Sequence, residues 1–119
     1  EAPIDVAPGD NQINEPTPDL IVLRKPGSLI RSGNPQPEDL AMVVEIADSS
    51  LAFDLGVNAR LYARAHIAEY WVADLNGRHL VVHRKPGAEG YGDVAAYGET
   101  EPVRPLAAPE HEFLLSAIL

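Results

Sequence analysis

The chain has 119 residues, of which 45% are apolar, and this is enough for one domain around a single hydrophobic core. Its formal net charge of -9 argues against a broad phosphate-binding surface, because affinity for nucleic acid backbones comes mainly from Lys and Arg. The chain contains no cysteine, which excludes disulfides and thiolate sites and favours the cytoplasm, and its apolar runs are too short to span a membrane.

The first 39 residues predict loops around one short strand. They hold seven of the eleven prolines, and proline cannot donate to a β-ladder. The sustained apolar run in this region is "DLIVL", which predicts a strand over Leu20 to Arg24. The next stretch, "RKPGSLIRSGNPQPED", predicts a long loop that forms the rim or lid of a site or serves as a mobile linker.

The second predicted strand is "LAMVVEIA", residues 40–47, and its nearly continuous apolar character favours a central position in a sheet. Glu45 interrupts this run, and a buried carboxylate is costly unless it has a partner. If the two strands are neighbours, Asp19 and Glu45 are separated by about 5 Å and could share a Mg²⁺ ion. An arginine such as Arg60 or Arg64 could instead pair with Glu45, and the residues alone leave both alternatives open.

A helix is predicted over Phe53 to Ala65, after the polar residues Asp48, Ser49 and Ser50, which are suited to a helix N-cap. Apolar side chains recur at intervals of three and four along this segment, which predicts the face that packs on the sheet. The residues of this predicted face are Phe53, Val57, Leu61, Tyr62 and Ala65.

The clearest local pattern is "AEYWVADLNGRHLVVHR", residues 68–84, in which two β-rich runs flank Asn76-Gly77. This dipeptide is typical of a type I′ turn and predicts a hairpin over Tyr70 to Arg84. One or two further strands and a short terminal helix or coil follow with weaker periodicity. The order of elements predicts a mixed sheet with a helix packed on it, in a single domain over residues 1–119.

Three segments together resemble the Uma2 family, whose members are described as restriction endonucleases. The segments are "PDLIVLR", "VVEIADSS" and "DLGVNARLYARAHIAEYWVADL", and the most specific part is "YARAHIAEYWVADL", Tyr62 to Leu75. The resemblance covers about Pro3 to Leu106. It implies a restriction-endonuclease-like α/β fold, a mixed sheet flanked by helices, and a variant of the PD-(D/E)xK nuclease motif.

Under this resemblance Asp19 is the motif aspartate and Glu45 is the strand acid, and together they bind Mg²⁺ for hydrolysis of a nucleic acid, either DNA or RNA. The lysine of the family motif corresponds to Asn58, which lies between the matching Asp54 and Tyr62. An asparagine can orient water but cannot supply positive charge. Two functions therefore remain: a Mg²⁺-dependent endonuclease with an incomplete motif, and an inactive nuclease-fold module that acts by binding.

The resemblance also implies N-terminal elements that precede those of this chain. We therefore expect either a truncated member of the family or a second subunit that covers the sheet left exposed. Unpaired strand edges and apolar surface favour association, so the second alternative predicts a homodimer.

Overall fold

The computed structural model describes residues 20–23 and 40–118. Asp19 and the predicted loop over residues 24–39 lie outside this described part. The described strands form one five-stranded sheet in the order β1-β2-β3-β4-β5. The strands are β1 (Leu20–Leu23), β2 (Leu40–Ala47), β3 (Glu69–Asp74), β4 (His79–Gly87) and β5 (Gly90–Gly98).

The sheet is mixed. Strand β1 pairs antiparallel with β2, β2 pairs parallel with β3, and the pairs β3–β4 and β4–β5 are antiparallel. A parallel pair needs a long crossover connection, and the helix between β2 and β3 provides it. The predicted mixed α/β architecture is thereby confirmed, and it is compatible with a restriction-endonuclease-like fold.

The helix between β2 and β3, here called α1, has three segments. It is α-helical over Leu51–Phe53, π-helical over Asp54–Asn58 and α-helical again over Ala59–Arg64. Ser50 occupies the N-cap position, as predicted, but its side chain makes no capping hydrogen bond to the backbone. A π-helical turn within an α-helix is often found at a functional site. Within the described residues, no helix is long and apolar enough to cross a membrane.

The predicted apolar face of α1 is correct for its second half and wrong for its first half. Leu61, Tyr62 and Ala65 are buried, whereas Phe53 is 49% exposed and Val57 is 39% exposed. Asp54 and Asn58 are buried instead, and they are joined by a side-chain hydrogen bond. The π-helical segment therefore turns a polar stripe toward the sheet and leaves its neighbouring apolar residues partly exposed.

Two apolar clusters lie on opposite faces of the sheet. The first packs α1 on the sheet, and the second lies beneath the C-terminal segment, in which Val103 pairs with Phe113. Buried members of the first cluster are Leu40, Val43, Ala47, Ala59, Leu61, Tyr62, Ala65, Ile67, Tyr70, Val72 and Val81. Those of the second are Met42, Trp71, Ala73, Leu80, Val82, Val103 and Leu115.

The β3–β4 hairpin turns at Asn76-Gly77, as predicted, but the turn is not type I′. Asp74 pairs with His79, and the positive φ falls on Arg78 (56°) rather than on Asn76 or Gly77. The loop is therefore longer than the two residues of a type I′ turn. The Gly77 N–H donates to Asp74 Oδ1 at 2.9 Å, and a Cβ at Gly77 would collide with the Asp74 carboxylate.

Candidate active site

Glu45 lies in the middle of β2 and faces helix α1. Side chains alternate between the two faces of a strand, and Val43 and Ala47 both belong to the cluster beneath α1. Glu45 shares their face and is 6% exposed. The carboxylate that interrupts the apolar run in the sequence is therefore enclosed between the sheet and the helix.

Asn58 joins Glu45 to a second buried carboxylate. Its Nδ2 group donates to Glu45 Oε2 at 3.3 Å and to Asp54 Oδ1 at 3.0 Å. The other oxygen of Asp54, Oδ2, accepts a hydrogen bond from Ser50 Oγ at 2.8 Å. Asp54 and Asn58 are 5% and 7% exposed. Asn58, the predicted site residue on α1, thus holds an amide group shared by two buried carboxylates.

Two buried tyrosines pack beside this group, with ring centroids 4.9 Å apart. The Tyr70 hydroxyl donates to the backbone oxygen of Asp54 at 2.9 Å. The Tyr62 hydroxyl is also buried, but it makes no hydrogen bond to a described residue. Burial raises the pKa of Tyr62, and the nearby carboxylates of Glu45 and Asp54 raise it further. This hydroxyl therefore keeps its proton at neutral pH.

Asp19, the predicted partner of Glu45, lies outside the described residues. Among the described residues, Leu20 pairs with Val44 in an antiparallel ladder. Asp19 directly precedes Leu20 in the sequence, and Glu45 directly follows Val44. The joint action of Asp19 and Glu45 stays a prediction.

The described residues include no group of three or more histidine, aspartate or glutamate side chains arranged to hold a metal ion. Mg²⁺ does not require such a group, since it is commonly bound by one or two carboxylates and keeps several waters. Glu45 and Asp54 offer hard oxygen atoms in one enclosed place, so the chemistry of the donors suits Mg²⁺.

Asp54 was predicted as a motif match but not as a site residue. The signal that identifies it is its spacing, because residues 54, 58 and 62 lie on one stripe of a helix. In the structure all three are buried, and Asn58 connects that stripe to Glu45. The network thus contains a buried carboxylate, Asp54, that was not predicted as a site residue.

One sequence family matches nearly the whole chain. The family is Uma2, described as "Putative restriction endonuclease", and its model matches residues 3–116. The matched range contains Asp19, Glu45 and Asn58. No curated protein matches the chain.

Proposed function

Because the chain belongs to the Uma2 family of nuclease-like proteins, we propose that it is a Mg²⁺-dependent endonuclease with an incomplete active-site motif. In this proposal Asp19 and Glu45 bind the ion, and Asn58 occupies the place of the family's lysine. The observation that carries the proposal is the position of Glu45, buried in mid-strand and hydrogen bonded to Asn58 at 3.3 Å.

Each residue has a distinct role in the proposed reaction. Bound Mg²⁺ would activate water and offset the negative charge that develops on the phosphate. Glu45 and Asp19 supply oxygen ligands. The Nδ2 group of Asn58 contacts both Glu45 and Asp54, and its side-chain oxygen is an acceptor that can orient a water molecule. Asn58 is neutral and cannot stabilise the developing charge as a lysine would, so we expect cleavage to be slow.

The proposed substrate is DNA, and the proposed location is the cytoplasm. With a net charge of -9 the chain has little general attraction for phosphate, so we expect the bound ion to contribute much of the affinity for the scissile group. We also propose a homodimer. Light scattering over a wide range of protein concentrations tests the dimer, and a monomer at every concentration would contradict it.

The alternative is a nuclease-fold module that no longer cuts and acts by binding. The observation that favours it is the setting of Asn58, whose amide is hydrogen bonded to two carboxylates at the position where catalysis calls for a positive charge. In this case Asn58 has a structural role, and the site lacks the charge that the reaction requires.

Cleavage of supercoiled plasmid in Mg²⁺ or Mn²⁺ distinguishes the two functions. The proteins to compare are the native chain, Asn58→Lys, and Asn58→Lys combined with Glu45→Ala. A lysine at position 58 places an ammonium group beside Glu45 and Asp54, so the endonuclease proposal expects faster cleavage by the first variant. It expects this gain to disappear in the second variant, which lacks an ion ligand.

Val57→Lys is the matched control, because it adds the same charge at a neighbouring helix position that is 39% exposed. Faster cleavage by this control would mean that general charge, rather than the site, is responsible. Failure of every variant to cleave, together with no Mn²⁺ binding to the native chain by calorimetry, would favour the binding module.

A further inference from the structure

Strand β5 forms one edge of the described sheet, since it pairs with β4 on one side and with no described strand on the other. Natural edge strands are usually protected from pairing with other chains by charged residues, above all lysine, by proline or by short length. Strand β5 has nine residues, "GYGDVAAYG", and these include no lysine, arginine or proline. Its one charged residue is Asp93.

The backbone groups of β5 that face outward can be identified from its last residue, Gly98. The Gly98 N–H donates to Glu101 Oε1 at 2.7 Å, and the Gly98 C=O accepts from the Glu101 N–H at 3.0 Å. Both groups of Gly98 therefore point away from β4. The direction alternates from residue to residue along an antiparallel strand, so the N–H and C=O groups of Ala96 and Val94 also point away from β4. Within the part of the chain that the structure describes, no backbone hydrogen bond from another element reaches these groups.

The side chains at this edge are apolar and accessible. Val94 is 54% exposed, and Ala96 is also exposed. The two share one face of the strand, and it is the α1 face, because Ala96 pairs with Val81 of the cluster beneath α1. Leu55 of α1, which is 37% exposed, lines the same groove as Val94. The outward backbone groups are thus flanked by apolar surface that a second strand would cover.

We propose that the β5 edge is a dimer interface, at which β5 of a second copy pairs antiparallel with it about a two-fold axis at Ala95. This location of the interface rests on the homodimer of the proposed function. In this register Val94 pairs with Ala96 of the second copy, and Ala96 pairs with Val94 of the second copy. The outward N–H and C=O groups of both residues then have partners.

A second copy fits this edge because the arrangement is self-complementary. A two-fold axis brings identical strands together in antiparallel orientation, and the outward residues of one strand then meet those of the other. The register centred on Ala95 places Asp93 opposite Tyr97 of the second copy, so like charges do not meet directly. With a net charge of -9 two copies repel each other, and a strand with one charged residue is a favourable place for contact.

Sedimentation velocity over a wide range of protein concentrations tests the interface. The proteins are the native chain, Val94→Pro, and Val94→Thr as the matched control. Proline removes an N–H that is not bonded to β4, so the β4–β5 pairing is retained, whereas threonine keeps both the N–H and a β-branched side chain. We expect Val94→Pro to weaken the dimer by at least about 10-fold and Val94→Thr to retain most of the affinity. Equal dimer affinity in the native chain and Val94→Pro would overturn the inference.

A second measurement needs no substitution, so it does not depend on the folding of a variant. Amide hydrogen exchange of the native chain is resolved by NMR at protein concentrations below and above the midpoint of dimer formation. We expect the N–H groups of Val94 and Ala96 to exchange more slowly in the dimer, while those of Ala95 and Tyr97, which face β4, exchange slowly at both concentrations. Unchanged exchange of Val94 and Ala96 in the dimer would overturn the inference.

The two measurements separate the inference from the proposed function. If the native chain is monomeric at every concentration, the proposed homodimer fails and this interface fails with it. If the native chain forms a dimer that changes neither with Val94→Pro nor in the exchange of the β5 amides, the homodimer stands and its location at β5 is wrong. Neither outcome decides the proposed nuclease activity, which plasmid cleavage tests.

Discussion

Two buried glutamates in adjacent strands of the sheet have different surroundings. Glu69 in β3 is 1% exposed, and its Oε2 atom accepts hydrogen bonds from Arg84 Nη2 at 2.8 Å and from Trp71 Nε1 at 2.7 Å. The Leu106 N–H donates to its Oε1 atom at 2.8 Å. Glu69 thus has a cation and several neutral donors, which together stabilise a buried carboxylate.

Glu45 in β2 is 6% exposed, and it accepts a hydrogen bond from the neutral amide of Asn58. The same amide also donates to Asp54, so a second carboxylate lies close by. Among the described residues, Asn58 thus holds two buried carboxylates close together, whereas Glu69 lies beside the Arg84 guanidinium. Burial alone therefore does not distinguish a structural carboxylate from a candidate ligand.

The largest expected effect is the loss of stability in Glu69→Ala. The substitution leaves the Trp71 and Leu106 N–H groups without their acceptor and removes the carboxylate that pairs with the Arg84 guanidinium, so we expect the free energy of unfolding to fall by about 3–5 kcal/mol. Urea unfolding followed by circular dichroism measures it. Glu89→Ala at an exposed position is the control and should change the value by about 0.5 kcal/mol or less. A loss below about 1 kcal/mol in Glu69→Ala would contradict the structural role.

The second prediction concerns the two halves of α1. The first half contains Asp54 and Asn58, which lie beside Glu45. Leu61 is 3% exposed, so Leu61→Ala should lower the free energy of unfolding by about 2–5 kcal/mol. Phe53 is 49% exposed, and Phe53→Ala should have a much smaller effect, about 0.5 kcal/mol. Urea unfolding of both variants checks the difference. Equal losses would mean that the first half of α1 packs through its apolar residues, in conflict with inward placement of Asp54 and Asn58.

Much of the fold follows from the sequence because its patterns are local. Strand β2 has the predicted bounds Leu40–Ala47, and the adjacent strand begins at Leu20 as expected. The turn at Asn76-Gly77 was predictable because few dipeptides favour a hairpin as strongly. The type of that turn was not predictable, because it depends on the Asp74 carboxylate, which accepts from the Gly77 N–H.

The surroundings of Glu45 were less predictable, because they depend on contacts between elements. The position of Glu45 in an apolar strand is evident from the sequence, and its match to the family motif identifies it as a candidate ligand. Periodicity assigned Phe53 and Val57 to the core, whereas the structure buries Asp54 and Asn58. Polar side chains at a site override apolar periodicity when they bond to one another, and a pattern of apolar residues does not contain that information.

His83 is a third buried ionisable group in the sheet that contains the two glutamates of this comparison. Burial favours its neutral form, whereas Glu69 is paired with the Arg84 guanidinium. Its Nδ1 atom lies 2.9 Å from the Tyr70 backbone oxygen, and burial lowers its pKa from the ordinary 6.5. Below about pH 6.5 the unfolded chain therefore binds a proton on this histidine before the folded chain does, and acidification reduces stability. Above that pH the histidine is neutral in both states and contributes no pH dependence.

We expect the free energy of unfolding to decrease by up to about 1.4 kcal/mol per pH unit through His83 as the pH falls below 6.5. Urea unfolding of the native chain and of His83→Gln between pH 7 and pH 5 measures this contribution as a difference in slope. The exposed His111, changed to Gln, is the control. Identical slopes for the native chain and His83→Gln would contradict the lowered pKa.

We expect the smallest effect on stability from Glu45→Gln. The same substitution at the other buried glutamate, Glu69→Gln, is the comparison. The side-chain oxygen of glutamine can still accept from Asn58, and removal of one charge reduces repulsion with Asp54. The free energy of unfolding should therefore change by less than about 1 kcal/mol, in either direction. Glu69→Gln should lower the free energy of unfolding by more than Glu45→Gln does. The amide N–H₂ group of the glutamine is a donor, and it would face other donors from Arg84, Trp71 or Leu106.

The two variants should rank in the opposite order when the loss of Mn²⁺ affinity is measured instead of the loss of stability. Neutral glutamine is a poor ligand for a hard divalent ion, so Glu45→Gln should weaken Mn²⁺ binding by at least about 10-fold, while Glu69→Gln leaves it unchanged at temperatures where it is folded. Calorimetric titration alongside urea unfolding gives both quantities for each variant. If Glu45→Gln instead destabilises the fold as much as Glu69→Gln and leaves Mn²⁺ affinity intact, Glu45 is a second structural carboxylate and the ion binds elsewhere.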